Sequence, residues 1–202
     1  MNKGEIRAHF KALLNRTDCS DALADTFIDQ SIARAQRVLR IPPMETTQTY
    51  TIQSSTSYVT IPIDFLEITD FYYDSTNLTR VPLAKMVEMS EGNDTGTPRY
   101  FSREGEVMKV YPYPTSGTLT MNYYASFPVM TSDTDENDLA IIASDLITYG
   151  ALGYASDYFL DERGPLFETK FVQFLSEIQE QANDAEVSGT VQAMQPTATY
   201  QD

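Results

Sequence analysis

The amino-acid sequence predicts an α+β fold: a four-helix core of two N-terminal and two long C-terminal helices, split by an antiparallel β-rich insertion and followed by an extended C-terminal tail. Three observations carry this expectation. Apolar residues recur at spacings of three and four before residue 40 and again from Asp138 to Val187. From Thr46 to Tyr124 the period changes, in a setting rich in Thr, Ser, Tyr, Val and Ile that favours strands. From Ser188 onward Gly, Gln, Pro and Thr leave only Val191, Met194 and Tyr200 as large apolar groups. The expected division is a helical bundle from residues 1–45 and 131–187, an inserted β-rich lobe at 46–130, and a tail at 188–202.

Ile6, Phe10, Leu13 and Leu14 share one face of a first helix, which ends before the polar stretch Asn15 to Asp18. Ser20 or Asp18 is placed to cap a second helix. Asp21 and Asp25 near its start and Arg34, Arg37 and Arg40 near its end suit the helix dipole. Leu23, Phe27, Ile28, Ile32, Ala35 and Leu39 form its apolar face, and Pro42 and Pro43 end it.

Strands are predicted around Tyr50 to Ile52, Tyr58 to Ile63, and Asp64 to Tyr73, with Pro62 forcing an edge or a break. Asp74 to Asn77 reads as a turn. Val81 to Met89 is compatible with helix or strand, and Glu91 to Thr97 is a loop by composition. Arg103, Glu104 and Gly105 are expected to turn a hairpin between Arg99–Ser102 and Glu106–Tyr111, followed by a strand at Leu119 to Tyr124.

The C-terminal helices read as a hairpin. Leu139, Ile142, Leu146, Tyr149 and Tyr154 mark the first arm, which stops near Leu160. After Asp161 to Gly164, Pro165 opens a second arm carrying Phe167, Phe171, Phe174, Leu175, Ile178, Ala182 and Ala185. Gly150 and Gly153 would each cost an exposed helix about 1 kcal/mol relative to alanine, so another backbone is expected to approach them, within the hairpin or from a second subunit.

With 202 residues, 42% hydrophobic and 11% aromatic, the chain can build a substantial core while carrying a formal charge of −15. Acids number 5 against 7 bases in residues 1–40, 10 against 5 in 41–130, and 14 against 2 in 131–202. That balance opposes gripping nucleic acid, which requires Lys and Arg to displace counterions, but not letting it slide past. The single cysteine, Cys19, has no internal disulfide partner and reads as a small residue beside a helix start. No apolar run of signal-peptide or membrane-spanning length occurs, so a soluble chain is expected, with no membrane role.

No catalytic or cofactor constellation emerges. Asp133, Asp135 and Asn137 superficially resemble a calcium loop, but the required glycine is Asp138 and the twelfth position is Ser144. His9 is the only histidine and reads as a solvated side chain. Asp64 and Glu67 lie three apart on a strand and so point to opposite faces, which removes general acid–base geometry. An enzyme is therefore not expected, nor a metal or cofactor. The tyrosines, Tyr72, Tyr73, Tyr111, Tyr113, Tyr123 and Tyr124 among them, are read as packing of the β lobe, with a protein interface as the alternative.

In order along the chain, this layout resembles the head-to-tail adaptor (connector) proteins of tailed bacteriophages, in a branch whose helical core is split by a β insertion. The resemblance rests on Ala33 to Leu39 with Ile41-Pro42-Pro43, on Ile61-Pro62-Ile63-Asp64-Phe65-Leu66-Glu67-Ile68, and on Gly96-Thr97-Pro98-Arg99-Tyr100. It continues through Val110-Tyr111-Pro112 and the helix from Leu146 to Gly153 containing Tyr149-Gly150-Ala151-Leu152.

The resemblance implies a structural virion protein at the head–tail interface, assembled in the host bacterial cytoplasm. It implies a ring, usually of twelve copies, beneath the portal protein. Such a ring continues the DNA channel and offers its lower surface to tail proteins of the nozzle or tail tube. DNA would pass without specific binding, and acids of the C-terminal hairpin, namely Asp138, Asp145, Asp157, Glu177 and Glu180, would line part of a repelling lumen. Members commonly send a C-terminal segment into the portal, a role that would fall to Val191, Met194 and Tyr200 in a docking tail, the alternative being a solvated terminus. Gly150 and Gly153 are candidates for subunit packing. The alternative function is a monomeric, tyrosine-rich binding module for a glycan or a peptide.

Overall fold

The computed structural model describes residues 1–187. Among the described residues, six α-helices and two antiparallel-rich sheets make it an α+β protein with helices flanking a β insertion. The described residues divide into two compact units, one from Met1–Ile41, Ser132–Thr134 and residues 139–187, the other from Pro42–Thr131 with Asp135–Asp138.

In the helical unit α1 spans Lys3–Leu14 and α2 spans Asp21–Val38. The Asn2 side chain accepts from the Glu5 amide at 2.8 Å while the Glu5 carboxylate accepts from the Asn2 amide at 3.1 Å, a reciprocal capping box. Ser20 caps α2, its hydroxyl accepting from the Leu23 amide at 3.2 Å, whereas Asp18 pairs with Arg16. At the other end of α1, Asn15 takes the left-handed conformation that closes a helix, which its short polar side chain tolerates.

The first arm of the C-terminal hairpin is two helices rather than one: α4, Asp138–Ile142, and α5, Ser144–Phe159, separated at Ala143 with φ −145° and ψ 51°. No glycine or proline marks that break. Buried positions 139, 140, 143, 146, 147 and 150 keep helical spacing straight through it, so the periodicity alone reads as a continuous helix. Ile142, expected on the packed face, is exposed together with Ile141.

Helix α5 packs against α1, α2 and α6, the last spanning Gly164–Val187. Its buried residues, Leu146, Ile147, Thr148, Gly150, Ala151, Leu152, Ala155 and Ser156, go round the whole helix, as in a central core element. Small side chains at 150, 151, 155 and 156 let neighbouring helices approach. Leu146 and Ile147, both fully buried, each contribute roughly 1.5–3 kcal/mol of transfer free energy.

In the β unit, β1 (Glu45–Ile52), β3 (Phe65–Tyr73), β4 (Thr76–Asn77) and β8 (Gly117–Ala125) form one sheet in the order β1-β8-β3-β4. The second sheet runs β2-β7-β6-β5, from Tyr58–Thr60, Val107–Tyr111, Tyr100–Glu104 and Thr79–Arg80. Ile52, Phe71, Leu119, Met121 and Tyr123 of the first sheet meet Val59, Phe101, Met108 and Val110 of the second in one apolar core.

Strand β3 shows how register is recovered from an irregular pattern. Its large residues Phe65, Ile68, Phe71 and Tyr73 are spaced by three, three and two. Register shifts between Phe65 and Glu67 and between Ile68 and Asp70, opposite β8, each absorb one residue, and all four side chains pack on the core.

Two sequence expectations change here. The hairpin turns at Gly105, with φ +60°, and Glu106, a two-residue loop in which Arg103 and Glu104 still belong to β6. The ambiguous stretch after Val81 is helix α3, Leu83–Ser90, which packs on β6 and β7 with Met86 buried.

Candidate interaction surfaces

The turn between α5 and α6 is the most elaborately tied part of the helical unit. Leu160 closes α5 in the left-handed conformation, φ 53°, and the Leu160 and Asp161 amides both donate to the Ser156 carbonyl. Asp161 accepts from the Arg163 amide at 2.9 Å and from the guanidinium at 2.6 Å. Those bonds hold the Asp161 carboxyl down at about 2. The same guanidinium donates to the carbonyls of Leu13 at 3.2 Å and Leu14 at 2.9 Å, satisfying acceptors at the end of α1. Around this turn Tyr158, Leu160 and Leu166 are exposed, Leu160 at 89%.

Next to the turn lies an open groove of about 390 Å³, lined by Arg34, Gly153, Tyr154, Asp157, Gly164 and Glu168 among others. Arg34 of α2 forms a two-pronged ion pair with Glu168 of α6, Nη1 to Oε2 at 2.8 Å and Nη2 to Oε1, and its guanidinium lies 4.3 Å from the Phe171 ring centre. The carboxylate raises the Arg34 pKa, and the guanidinium lowers that of Glu168. Gly153 is part of this open groove. Gly150 is different: a Cβ there would meet Ser31 Oγ at 2.2 Å and the Phe171 ring at 2.8 Å, so its missing side chain serves packing inside the bundle.

All five acids expected on a channel surface, Asp138, Asp145, Asp157, Glu177 and Glu180, are exposed. None has an ion-pair partner among the described residues. Glu177 accepts from Gln173 at 2.8 Å and Glu180 from Ser176 at 3.2 Å, each one turn along α6. With exposed Asp184 the two glutamates follow the i, i+3, i+7 spacing of one helix face. Val191, Met194 and Tyr200 lie outside the described residues.

The tyrosines of the β unit are largely committed to packing. Tyr73 donates to the Ser116 carbonyl at 2.7 Å, Tyr111 to Asp94 at 2.8 Å and Tyr123 to Asp64 at 3.0 Å, and Tyr111 and Tyr123 are buried. Burial and then the Asp64 bond push the Tyr123 hydroxyl up to about 12. The acids of the calcium-like run have other tasks. Asp133 pairs with Arg7, Asp135 accepts from the Thr131 amide and hydroxyl at 2.9 and 3.0 Å, and Asn137 donates to the Pro128 carbonyl at 3.1 Å. Among the described residues no group of three or more His, Cys, Asp or Glu is arranged to hold a metal ion. No described helix is long and apolar enough to cross a membrane.

What the sequence reading did not find is a pocket of about 380 Å³ lined by Arg80, Val81, Pro82, Leu83, Ser102 and Arg103. Its signal was the Val81-Pro82 step: the proline that leaves β5 also opens α3.

Comparison with curated proteins returns no match. A family model does match, and the family is a structural one, not an enzyme family. Over residues 1–195 the chain fits the SU10 adaptor protein model, and it therefore belongs to that family of phage head-to-tail adaptor proteins.

Proposed function

We propose that the protein forms a ring, usually of twelve copies, that docks beneath the portal, continues the DNA channel and provides the attachment surface for tail proteins of the nozzle or tail tube. Its site is the head–tail interface of the virion, reached after assembly in the host cytoplasm. The observation that carries this reading is the family match over residues 1–195.

The surface chemistry supports it. Exposed carboxylates at Asp145 and Asp157 on α5 and at Glu177 and Glu180 on α6, with Asp138 on α4, lack cationic partners among the described residues. Such a surface repels phosphates and gives passing DNA no trap. In this reading Val191, Met194 and Tyr200 anchor a tail segment on the portal. Gly153, open to solvent in the groove, remains a candidate for subunit contact.

The test is the solution mass of the purified chain by light scattering, alone and mixed with the portal of the same phage. A large complex of fixed stoichiometry on mixing, lost on truncation at Ser188, is the expected result. A chain that stays unbound in the presence of portal would overturn the reading.

A further inference from the structure

We propose that the outer edge of β1 pairs with an extended, lysine- or arginine-bearing segment of a partner protein, which adds a strand to the first sheet of the β unit. Four strands end a sheet among the described residues. Of these, β2 has three residues and β4 and β5 two each, too short to template a partner. Strand β1 has eight, longer than a typical strand, and only β8 flanks it. It carries none of the usual protections of an edge: no proline, no lysine and no register shift against β8. Thr46, Thr47, Thr49 and Thr51 are β-branched and exposed, so the strand is well formed but uncovered.

The direction of its backbone groups follows from the far side of β8. The Asp74 amide donates to the Thr118 carbonyl at 2.8 Å and the Thr118 amide to the Asp74 carboxylate at 3.0 Å, so the Thr118 backbone faces the β3 side. Direction alternates along a strand, so Leu119, Met121 and Tyr123 face β1, where they stand opposite Tyr50, Gln48 and Thr46. The amides and carbonyls of Thr47, Thr49 and Thr51 therefore point away from the sheet. Their amides donate to no described residue, and the Thr49 carbonyl accepts from the neighbouring Gln48 side chain at 3.1 Å. An incoming strand meets a row of open main-chain donors and acceptors, the requirement for strand addition.

Charge selects the occupant. Glu45, Thr47, Thr49 and Thr51 share the outer face of the sheet with Asn122 and Asp70, and the Thr47 hydroxyl donates to Asn122 Oδ1 at 2.9 Å. Strands β1, β3, β4 and β8 contain Glu45, Glu67 and Asp70 but no lysine or arginine. Glu45 and Asp70 have no ion-pair partner among the described residues. A basic side chain in the added strand, one strand spacing of about 4.8 Å from β1, supplies the missing charge opposite Glu45.

The same test sets aside the occupants this chain could offer. A second copy of β1 brings another glutamate and no base. Residues 188–202 contain no lysine or arginine either. Neither supplies the charge that the edge lacks, whereas a basic segment of another protein does.

The experiment is amide hydrogen exchange of the full chain, read by NMR, with the end-blocked peptide Lys-Val-Thr-Val-Thr-Val-Lys as probe. The same peptide with glutamate at both ends is the comparison. In the free chain the Gln48 and Tyr50 amides exchange slowly and those of Thr47, Thr49 and Thr51 fast. The lysine peptide is expected to slow the latter three saturably, by about tenfold, and the glutamate peptide to leave them unchanged. Thr49→Pro removes an amide that points outward, so it keeps the ladder to β8 and should weaken binding of the lysine peptide about tenfold. Glu45 is exposed, and Glu45→Lys should abolish the preference for lysine over glutamate. Absence of protection, equal response to the two peptides, unchanged affinity in Thr49→Pro, or a preference kept in Glu45→Lys would each overturn the proposal. So would an oligomer of the free chain that Thr49→Pro dissociates, which would give the edge to a second copy. Strand addition requires one copy of the chain and no portal, so its outcome is separate from that of ring assembly.

Discussion

Ser31 of α2 and Gly150 of α5 face each other so closely that a Cβ on residue 150 would lie 2.2 Å from the Ser31 hydroxyl oxygen. That oxygen is buried and has no hydrogen-bond partner among the described residues. The contact thus joins a position that cannot accept a methyl group to a hydroxyl desolvated without compensation. Gly150→Ala is expected to destabilise the helical unit by about 1–3 kcal/mol through overpacking. Ser31→Ala is expected to be neutral or stabilising by up to about 1 kcal/mol, since it removes the unpaired group. Urea unfolding of both single variants and the double variant checks this, and additivity of the two effects would show that the residues are not coupled.

Arg163 links the hairpin turn to the end of α1, and its partner Asp161 sets a pH dependence. Asp161 falls from an ordinary 3.8 to about 2, chiefly through its hydrogen bonds from the Arg163 side chain. A carboxyl with a depressed folded pKa adds stability that is complete above its ordinary value and is lost as pH falls towards about 2. In Arg163→Ala the Asp161 carboxyl should titrate near its ordinary value, and the amides at the end of α1 should exchange faster. Carboxyl NMR titration and hydrogen exchange read the two effects.

Tyr123 acts at the other end of the pH scale. Its hydroxyl rises from an ordinary 10 to about 12 through burial and the bond to Asp64. A raised folded pKa means stability fully present below the ordinary value and lost as pH climbs through the folded one. Tyr123→Phe removes that alkaline transition and lowers stability at neutral pH by about 1.5–3 kcal/mol, the range for a hydrogen bond to a charged acceptor. Phenolate absorbance and urea unfolding on the alkaline side test it, and an unchanged transition in the variant would rule Tyr123 out as its source.

Leu160 holds a left-handed backbone that glycine adopts freely, and its side chain is 89% exposed. Leu160→Gly should therefore stabilise the isolated chain by about 0.5–1 kcal/mol, the relief of a crowded Cβ less the added freedom of the unfolded chain. A lower unfolding midpoint would mean that the leucine packs in a way its exposure conceals.

The family resemblance and the α+β architecture were both legible in the residues. Helical spacing of Ile6, Phe10 and Leu14, and of Phe167 and Phe171, located the helices that build the bundle, because burial of one face imposes that period wherever the partner surface lies. Ser20 could be placed as a cap for the same local reason. The exposure of Asp138, Asp145, Asp157, Glu177 and Glu180 was equally readable, since unpaired carboxylates stay in water.

Tertiary structure alone decided the rest. The break at Ala143 leaves the apolar period intact and carries no breaker residue, so nothing local announces it. Helix α3 resolved an eight-residue stretch too short for periodicity to separate from a strand, and it did so by covering β6 and β7. The bulges of β3 became visible only opposite β8, whose regular alternation forces the extra residues out. Gly150 gained its meaning from Ser31 and Phe171, residues far away in sequence. The pocket of Arg80, Ser102 and Arg103 likewise exists only because a parallel strand pairing brings Pro82 beside β6. Sequence period reports which face a residue turns to the core; what stands on that face is set by contacts between segments that no local pattern encodes.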